Sequence, residues 1–215
     1  MSTILPGAAA SVEVFGGLSD ASLHPEEAAA LGRVSDRRRC EFSVGRTCAR
    51  RALARIGVPA TPILSGPNRE PLWPTGVVGS ITHCPDYCAA VVALRTQITT
   101  VGIDAELHAP LPRGVLNIVA TKEEQQSLSA LPSIDTCWDR VLFSAKESVY
   151  KAWFQIAGSW LGFDDAIVRI DPQRRRFTAD LVVATPAIFG RSMTEFEGRF
   201  LISDGLILTA VSIGV

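Results

Sequence analysis

The chain has 215 residues, room for one or two domains, with 47% apolar and 20% charged residues. That balance supports a buried core and excludes a disordered or fibrous chain. A formal net charge of −1 excludes a global pull toward nucleic acid or a membrane surface.

The charge is uneven. Arg33, Arg37, Arg38, Arg39, Arg46, Arg50, Arg51 and Arg55 fall in one stretch, opposed there only by Asp36 and Glu41. This basic surface suits phosphates or an acidic partner. Five cysteines form no Cys-x-x-Cys pair, so neither a disulfide framework nor a four-cysteine zinc site is expected. Reduced thiols, no signal peptide and only strand-length apolar runs point to a cytoplasmic protein without a membrane span.

In chain order, residues 11–15 read as a short strand closed by Gly16-Gly17. Pro25 opens a helix ending near Gly32, and Ser35 or Asp36 caps a longer one to about Ile56. Phe42, Ala49, Leu53 and Ile56 form its buried stripe, with Arg46 at the edge. Residues 61–79 carry four prolines and three glycines and read as a structured loop. Strands follow at 88–94 and 98–107. Pro110 and Pro112 mark a boundary between an N-terminal lobe, 1–109, and a C-terminal lobe, 110–215.

The second half opens with helical segments at 115–120 and 121–131, the latter with Thr121 and Glu124 in capping-box spacing. A helix runs from about Asp135 to Ile156 on a core stripe of Trp138, Leu142, Ala145, Val149, Trp153 and Ile156. Strands are expected at 166–170, 176–183 and 199–213, the last folded by Asp204-Gly205. Each half reads as helices followed by a closing hairpin, a hint of duplication.

Three segments carry the chemistry. In Val101-Gly102-Ile103-Asp104-Ala105-Glu106-Leu107, strand alternation puts Asp104 and Glu106 on one face. Carboxylates at i and i+2 lie roughly 7 Å apart at their Cα atoms, close enough to share a hard cation. Taken alone, the motif reads more readily as the solvated face of a strand. In Phe143-Ser144-Ala145-Lys146-Glu147-Ser148-Val149-Tyr150-Lys151, Glu147 and Lys151 stack at i and i+4. That pair alone reads as a surface ion pair, but this helix is apolar nearly all round, and buried charges need a partner or a task. The carboxylate could bind metal or act as a base, and the lysine could hold a phosphate. Gly79-Ser80-Ile81-Thr82-His83-Cys84 gathers hydrogen-bond donors suited to phosphate oxygens. A proline-braced loop, Ser65-Gly66-Pro67-Asn68-Arg69-Glu70-Pro71, precedes it.

In this order and spacing the segments resemble the phosphopantetheinyl transferases, in particular the larger two-lobed (Sfp-type) class and its actinobacterial members, over about residues 37–165. The resemblance implies an α+β fold of two similar α/β lobes related by a pseudo-two-fold axis, each with a small mainly antiparallel sheet. It implies a monomer that moves the 4′-phosphopantetheine arm of coenzyme A (CoA) onto a serine of an apo acyl or peptidyl carrier protein, releasing 3′,5′-ADP. Carried over by position, Asp104, Glu106 and Glu147 would hold Mg²⁺, or Mn²⁺, which the ligand type does not separate. Glu147, or a water it orients, would take the serine proton. Lys151 would steady the pyrophosphate, with Lys146 assisting. Arg38, Arg46, Arg69, Thr82 and His83 would grip the CoA phosphates. Phe143 stands where many relatives carry Trp, and Arg69 is the only cation in a loop where some carry lysine. The competing readings are a relative that binds CoA or carrier protein without turnover, and another Mg²⁺-dependent phosphotransferase. No Walker or kinase signature is present.

Overall fold

The computed structural model describes residues 1–132, 135–183, 187–188 and 191–215. The first half holds β1 (Ala10–Phe15), α1 (Pro25–Leu31), α2 (Asp36–Arg55), β2 (Val77–Cys84), β3 (Tyr87–Leu94) and β4 (Ile98–Leu107). The second holds α3 (Leu116–Val119), α4 (Lys122–Ser129), α5 (Trp138–Ala157), β5 (Ala166–Asp171) and β6 (Arg176–Leu181). It closes with a short β7 (Ala187–Ile188) and β8 (Arg191–Ser192), then β9 (Glu195–Ser203) and β10 (Leu206–Gly214).

Two antiparallel sheets carry the architecture, in strand orders β1-β3-β2 and β4-β10-β9-β6-β5. The fold is α+β, as expected. Three buried clusters stack in sequence. Val44, Cys48, Ala52 and Leu53 of α2 pack on one face of the first sheet. The other face, through Ala89, Val91 and Ala93, meets Val101, Ile103 and Ala105 of β4 and Leu208 of β10. The far face of the second sheet receives Leu142, Ala145, Val149 and Trp153 of α5. The result is a helix–sheet–sheet–helix stack. Burying these apolar faces contributes on the order of 25 cal/mol per Å².

Local chemistry explains the boundaries. Ser35 caps α2 through the Arg38 N–H at 3.3 Å. Gly158 ends α5 with φ of 62°, a left-handed stop favourable to glycine. Asp204 and Gly205 both take positive φ, 55° and 73°, as a two-residue hairpin of the second sheet requires.

Two features differ from the sequence reading. Residues 77–84 are a full strand, although the proline-rich approach made 61–79 read as loop. And β4 pairs in register with β10, Asp104 opposite Thr209, rather than with β3. Its other edge faces β2, where the Ser80 and Thr82 hydroxyls accept from the Ile103 and Ala105 N–H groups at 3.1 and 3.0 Å. Side chains thus do there what a strand backbone would do.

The halves also repeat one device. Glu27 of α1 and Glu124 of α4 are third residues of their helices, each reaching back to its cap's backbone N–H, from His24 at 2.9 Å and from Thr121 at 2.8 Å. Both are almost fully buried. Each pairs with a cation of the lobe's long helix, Glu27 with Arg50 at 2.7 Å and Glu124 with Lys146 at 2.8 Å. Each accepts one more N–H from further along the chain, Ile63 and Val168, both at 2.8 Å. The shared arrangement is structural support for duplication. No helix among the described residues is long and apolar enough to cross a membrane.

Candidate active site

Helix α5 crosses β4 at Gly102. A Cβ there would lie 2.0 Å from the Ser148 carbonyl oxygen and 2.7 Å from the Ala152 nitrogen, so only glycine permits the contact. The crossing sets α5 directly over the face of β4 that carries Asp104 and Glu106. On α5, Arg140, Ser144, Glu147, Lys151 and Gln155 recur at helical spacing and form one polar stripe toward that face.

Asp104 is 5% exposed and is the best-bonded group in the site. Its Oδ1 receives Lys151 Nζ at 2.7 Å and the Thr82 hydroxyl at 3.2 Å. Its Oδ2 receives the Ser144 hydroxyl at 2.8 Å. Lys151 also donates to the Ile103 carbonyl at 3.0 Å. Glu106, two residues on, pairs with Arg140 Nη1 at 2.8 Å. Arg140 further holds the carbonyls of Ala109 and Pro110, which fixes the chain leaving β4. Arg140 was not singled out in the sequence, though it lies two helical turns before Glu147 on the same stripe.

Glu147 is half-buried, and no donor among the described residues reaches its carboxylate. Burial raises its pKa, Asp104 and Glu106 raise it further, and Lys151 opposes. Burial and Asp104 also raise that of Glu106, against Arg140. The site therefore holds three carboxylates against two cations, and the carboxylates feel one another. Among the described residues no three metal-ligating side chains converge on a single point. In donor type the set fits a hard dication: all oxygen, excess negative charge, and one carboxylate without a partner.

The other expected site residues divide. Arg38 lies 3.5 Å from the exposed His83 ring, through Nη1 and Nε2, and 3.8 Å from the Glu41 carboxylate. Arg69 sits exposed at the tip of the 65–71 turn, which is closed by a bridge between Ser65 and Pro71. It lines a cavity of about 570 Å³ with Trp73, Ser80, Tyr150, Lys151 and Phe154. Arg46 is instead buried, stacked over Phe42 at 4.2 Å, and spends its donors on the Ile63 carbonyl at 2.7 Å and the Ser65 hydroxyl at 3.0 Å. Burial lowers its pKa to about 10. Thr82 is committed to Asp104 and the Ala105 N–H. Lys146 lies off the polar stripe, in its pair with Glu124 and on the Phe163 carbonyl. Gln155 was also missed. It ties α5 to both sheets, accepting from Gly79 N–H at 3.3 Å and donating to the Val101 carbonyl at 2.6 Å.

No cysteine offers a nucleophile here. Burial, with Glu106 and Asp104 nearby, pushes the Cys84 thiol up to about 12. A second recess of about 140 Å³ adjoins Glu147, walled by Tyr150, Trp160, Leu161 and Phe163. Trp160 is 72% exposed and rests on Tyr150 at 4.8 Å between ring centres.

Comparison with known proteins agrees with this arrangement. Residues 26–93 match the 4′-phosphopantetheinyl transferase N-terminal domain, and residues 100–193 match the 4′-phosphopantetheinyl transferase superfamily. The chain is 43% identical over 218 residues to the 4′-phosphopantetheinyl transferase Svp of Streptomyces mobaraensis, covering 99% of this chain and 89% of that protein. It is 42% identical over 191 residues to PptT of Mycobacterium tuberculosis, covering 87% and 84%. It is 40% identical over 218 residues to Npt of Nocardia iowensis, covering 98% of each. On these matches the chain belongs to the 4′-phosphopantetheinyl transferase superfamily.

Proposed function

We propose that this protein transfers the 4′-phosphopantetheine moiety of CoA to a serine of an apo acyl or peptidyl carrier protein, with release of 3′,5′-ADP. The observation that carries the reading is the facing of two motifs, Asp104 and Glu106 on β4 against Glu147 and Lys151 on α5, beside a cavity of about 570 Å³. Phosphoryl-type transfer needs charge neutralisation and in-line positioning more than a covalent intermediate. The site is built of charge and holds no activated thiol.

Asp104, Glu106 and Glu147 would hold Mg²⁺ or Mn²⁺. When bound, the ion would offset negative charge on the CoA pyrophosphate. Glu147 is suited to take the proton of the carrier serine, because its carboxylate is unpartnered and its affinity for protons is raised. Lys151 is placed to hold a phosphate oxygen. Arg69 at the cavity, and the exposed Arg38 and His83 beside each other, would take the remaining CoA phosphates, Arg38 exchanging its 3.8 Å pairing with Glu41 for them. Arg46, Thr82 and Lys146 support the site from within the protein.

The two lobes divide at 109/110, with β4 as the strand shared by both. The carriers are taken to be those of polyketide, nonribosomal peptide or fatty acid synthesis, met by a monomer in the cytoplasm. Ile118, 71% exposed on α3, and Leu107, 41% exposed at the end of β4, are assigned to the docking surface for the carrier.

The test is intact-mass spectrometry of several apo carrier domains after incubation with protein, CoA and Mg²⁺. The expected result is one added phosphopantetheine, abolished by EDTA and by Glu147→Gln. CoA binding without any modified carrier would favour the non-catalytic reading. Release of inorganic phosphate from nucleotides would favour a different phosphotransferase.

A further inference from the structure

We infer that Ser144 and Thr82 are positioning residues that leave a single oxygen site of Asp104 open to a cation. The inference rests on the metal assignment proposed above.

An ionised carboxylate accepts only, at about four lone-pair sites. Both sites on Oδ1 of Asp104 are filled, by Lys151 Nζ at 2.7 Å and by the Thr82 hydroxyl at 3.2 Å. One site on Oδ2 is filled by the Ser144 hydroxyl at 2.8 Å. One site on Oδ2 remains, so Asp104 binds a cation through one oxygen and from one direction.

The donors are themselves aimed. Thr82 accepts the Ala105 N–H at 3.0 Å, and with that bond in place its one proton points at Asp104. Ser144 must donate to the carboxylate, so it can only accept from Thr209, whose Oγ1 lies 3.0 Å away. The single Thr209 hydroxyl proton is shared between that oxygen and the Ser144 backbone carbonyl, 2.8 Å away. Thr209 stands opposite Asp104 in the β4–β10 register. All three hydroxyls are nearly or wholly buried. Thr82 comes from the first sheet, Thr209 from the second and Ser144 from the helix above. The orientation of Asp104 is therefore held only while β2, β4, β10 and α5 are packed together. Groups that orient a metal ligand typically alter metal affinity about 10–100-fold when removed.

The test titrates Mn²⁺ into protein and CoA and reads free Mn²⁺ by electron paramagnetic resonance. Wild type is compared with Thr82→Val, Ser144→Ala and the conservative Thr82→Ser. Thr82→Val and Ser144→Ala are expected to weaken Mn²⁺ binding about 10–100-fold. Thr82→Ser retains both hydrogen bonds and is expected to stay within about threefold of wild type. CoA affinity without metal is expected to be unchanged in all three. A merely structural role would lower thermal stability and leave Mn²⁺ affinity alone. That result in both Thr82→Val and Ser144→Ala overturns the inference while leaving the metal assignment intact. A wild-type protein that takes up no Mn²⁺ with CoA overturns the metal assignment and the inference together.

Discussion

Replacing Lys146 by Met tests whether this lysine serves the fold or the cofactor. Its ammonium group is 2.8 Å from Glu124, and the two side chains are 3% and 1% exposed. In Lys146→Met the Glu124 carboxylate keeps two backbone donors, Thr121 and Val168, but loses its one positive partner among the described residues. Breaking a buried pair from one side costs about 3–5 kcal/mol, because an uncompensated charge is left in low dielectric. That is about a fifth or more of the stability of an ordinary domain. Urea denaturation should show a fall of that size, with kcat per folded molecule within about threefold of wild type. Adding Glu124→Gln removes the stranded charge but keeps an oxygen for only one of the two N–H groups, which reach separate carboxylate oxygens, so the double variant should recover part of the stability lost in Lys146→Met. A stability loss below about 1 kcal/mol together with a large loss of kcat would refute the reasoning and return Lys146 to the active site.

Three further outcomes are expected. Glu147→Gln should lower kcat by about 10²–10⁴-fold, the usual worth of a positioned base. It should also raise the melting temperature at pH 7. The folded pKa of Glu147 lies above its unfolded value of 4.5, so the native state favours the proton and stability is lost as pH rises from 4.5 through the folded value. Gln removes that loss, and melts from pH 4 to 8 should show the advantage shrinking toward the acid end. Gly102→Ala should destabilise by about 3 kcal/mol or more, since a Cβ 2.0 Å from a backbone oxygen forces α5 off β4. Activity should fall with it, measured by carrier modification on the soluble fraction. Ile118→Asp should raise the carrier KM about tenfold or more with CoA KM unchanged. Equal carrier KM values would remove α3 from the docking surface.

Much of the fold was legible where one pattern dominated. Alternation marked β4 to the residue, Ile98–Leu107. The Thr121 and Glu124 spacing marked the start of α4, and the apolar stripe from Trp138 to Ile156 ran the length of α5. The strand β2 was hidden because Ser80 and Thr82 interrupt its apolar run. Those hydroxyls are spent on the edge of β4, a partner more than twenty residues away. The limits of site reading were of the same kind. Local spacing brought Glu147 and Lys151 to one face, yet the family resemblance carried Lys146 over to the same task. On a helix, neighbours one residue apart point about 100° apart. Arg46 looked free because the Ile63 carbonyl and Ser65 hydroxyl that occupy it come from a distant loop. Arg140 and Gln155 were recoverable from the periodicity of α5 alone.

The repeated buried glutamates explain why the chemistry is confined to one seam. In each lobe a capping-box carboxylate fastens a short helix to the long one, by Arg50 in the first and Lys146 in the second. With that task done identically in both halves, the lobes differ in what the long helix covers. α2 lies over β1 and β3 and presents Cys48, Ala49 and Ala52, an apolar contact whose rim carries the Arg55 guanidinium on the Ser11 carbonyl. α5 lies over β4, where Gly102 admits it to backbone contact and Asp104 and Glu106 take the place of apolar residues. Such carboxylates are costly to bury, and three donors to Asp104 and one arginine on Glu106 offset part of that cost. Glu147 has no such compensation. Native proteins seldom leave a buried polar group without a partner, and among the described residues Glu147 is so left at this seam, the observation on which its proposed ligand role rests.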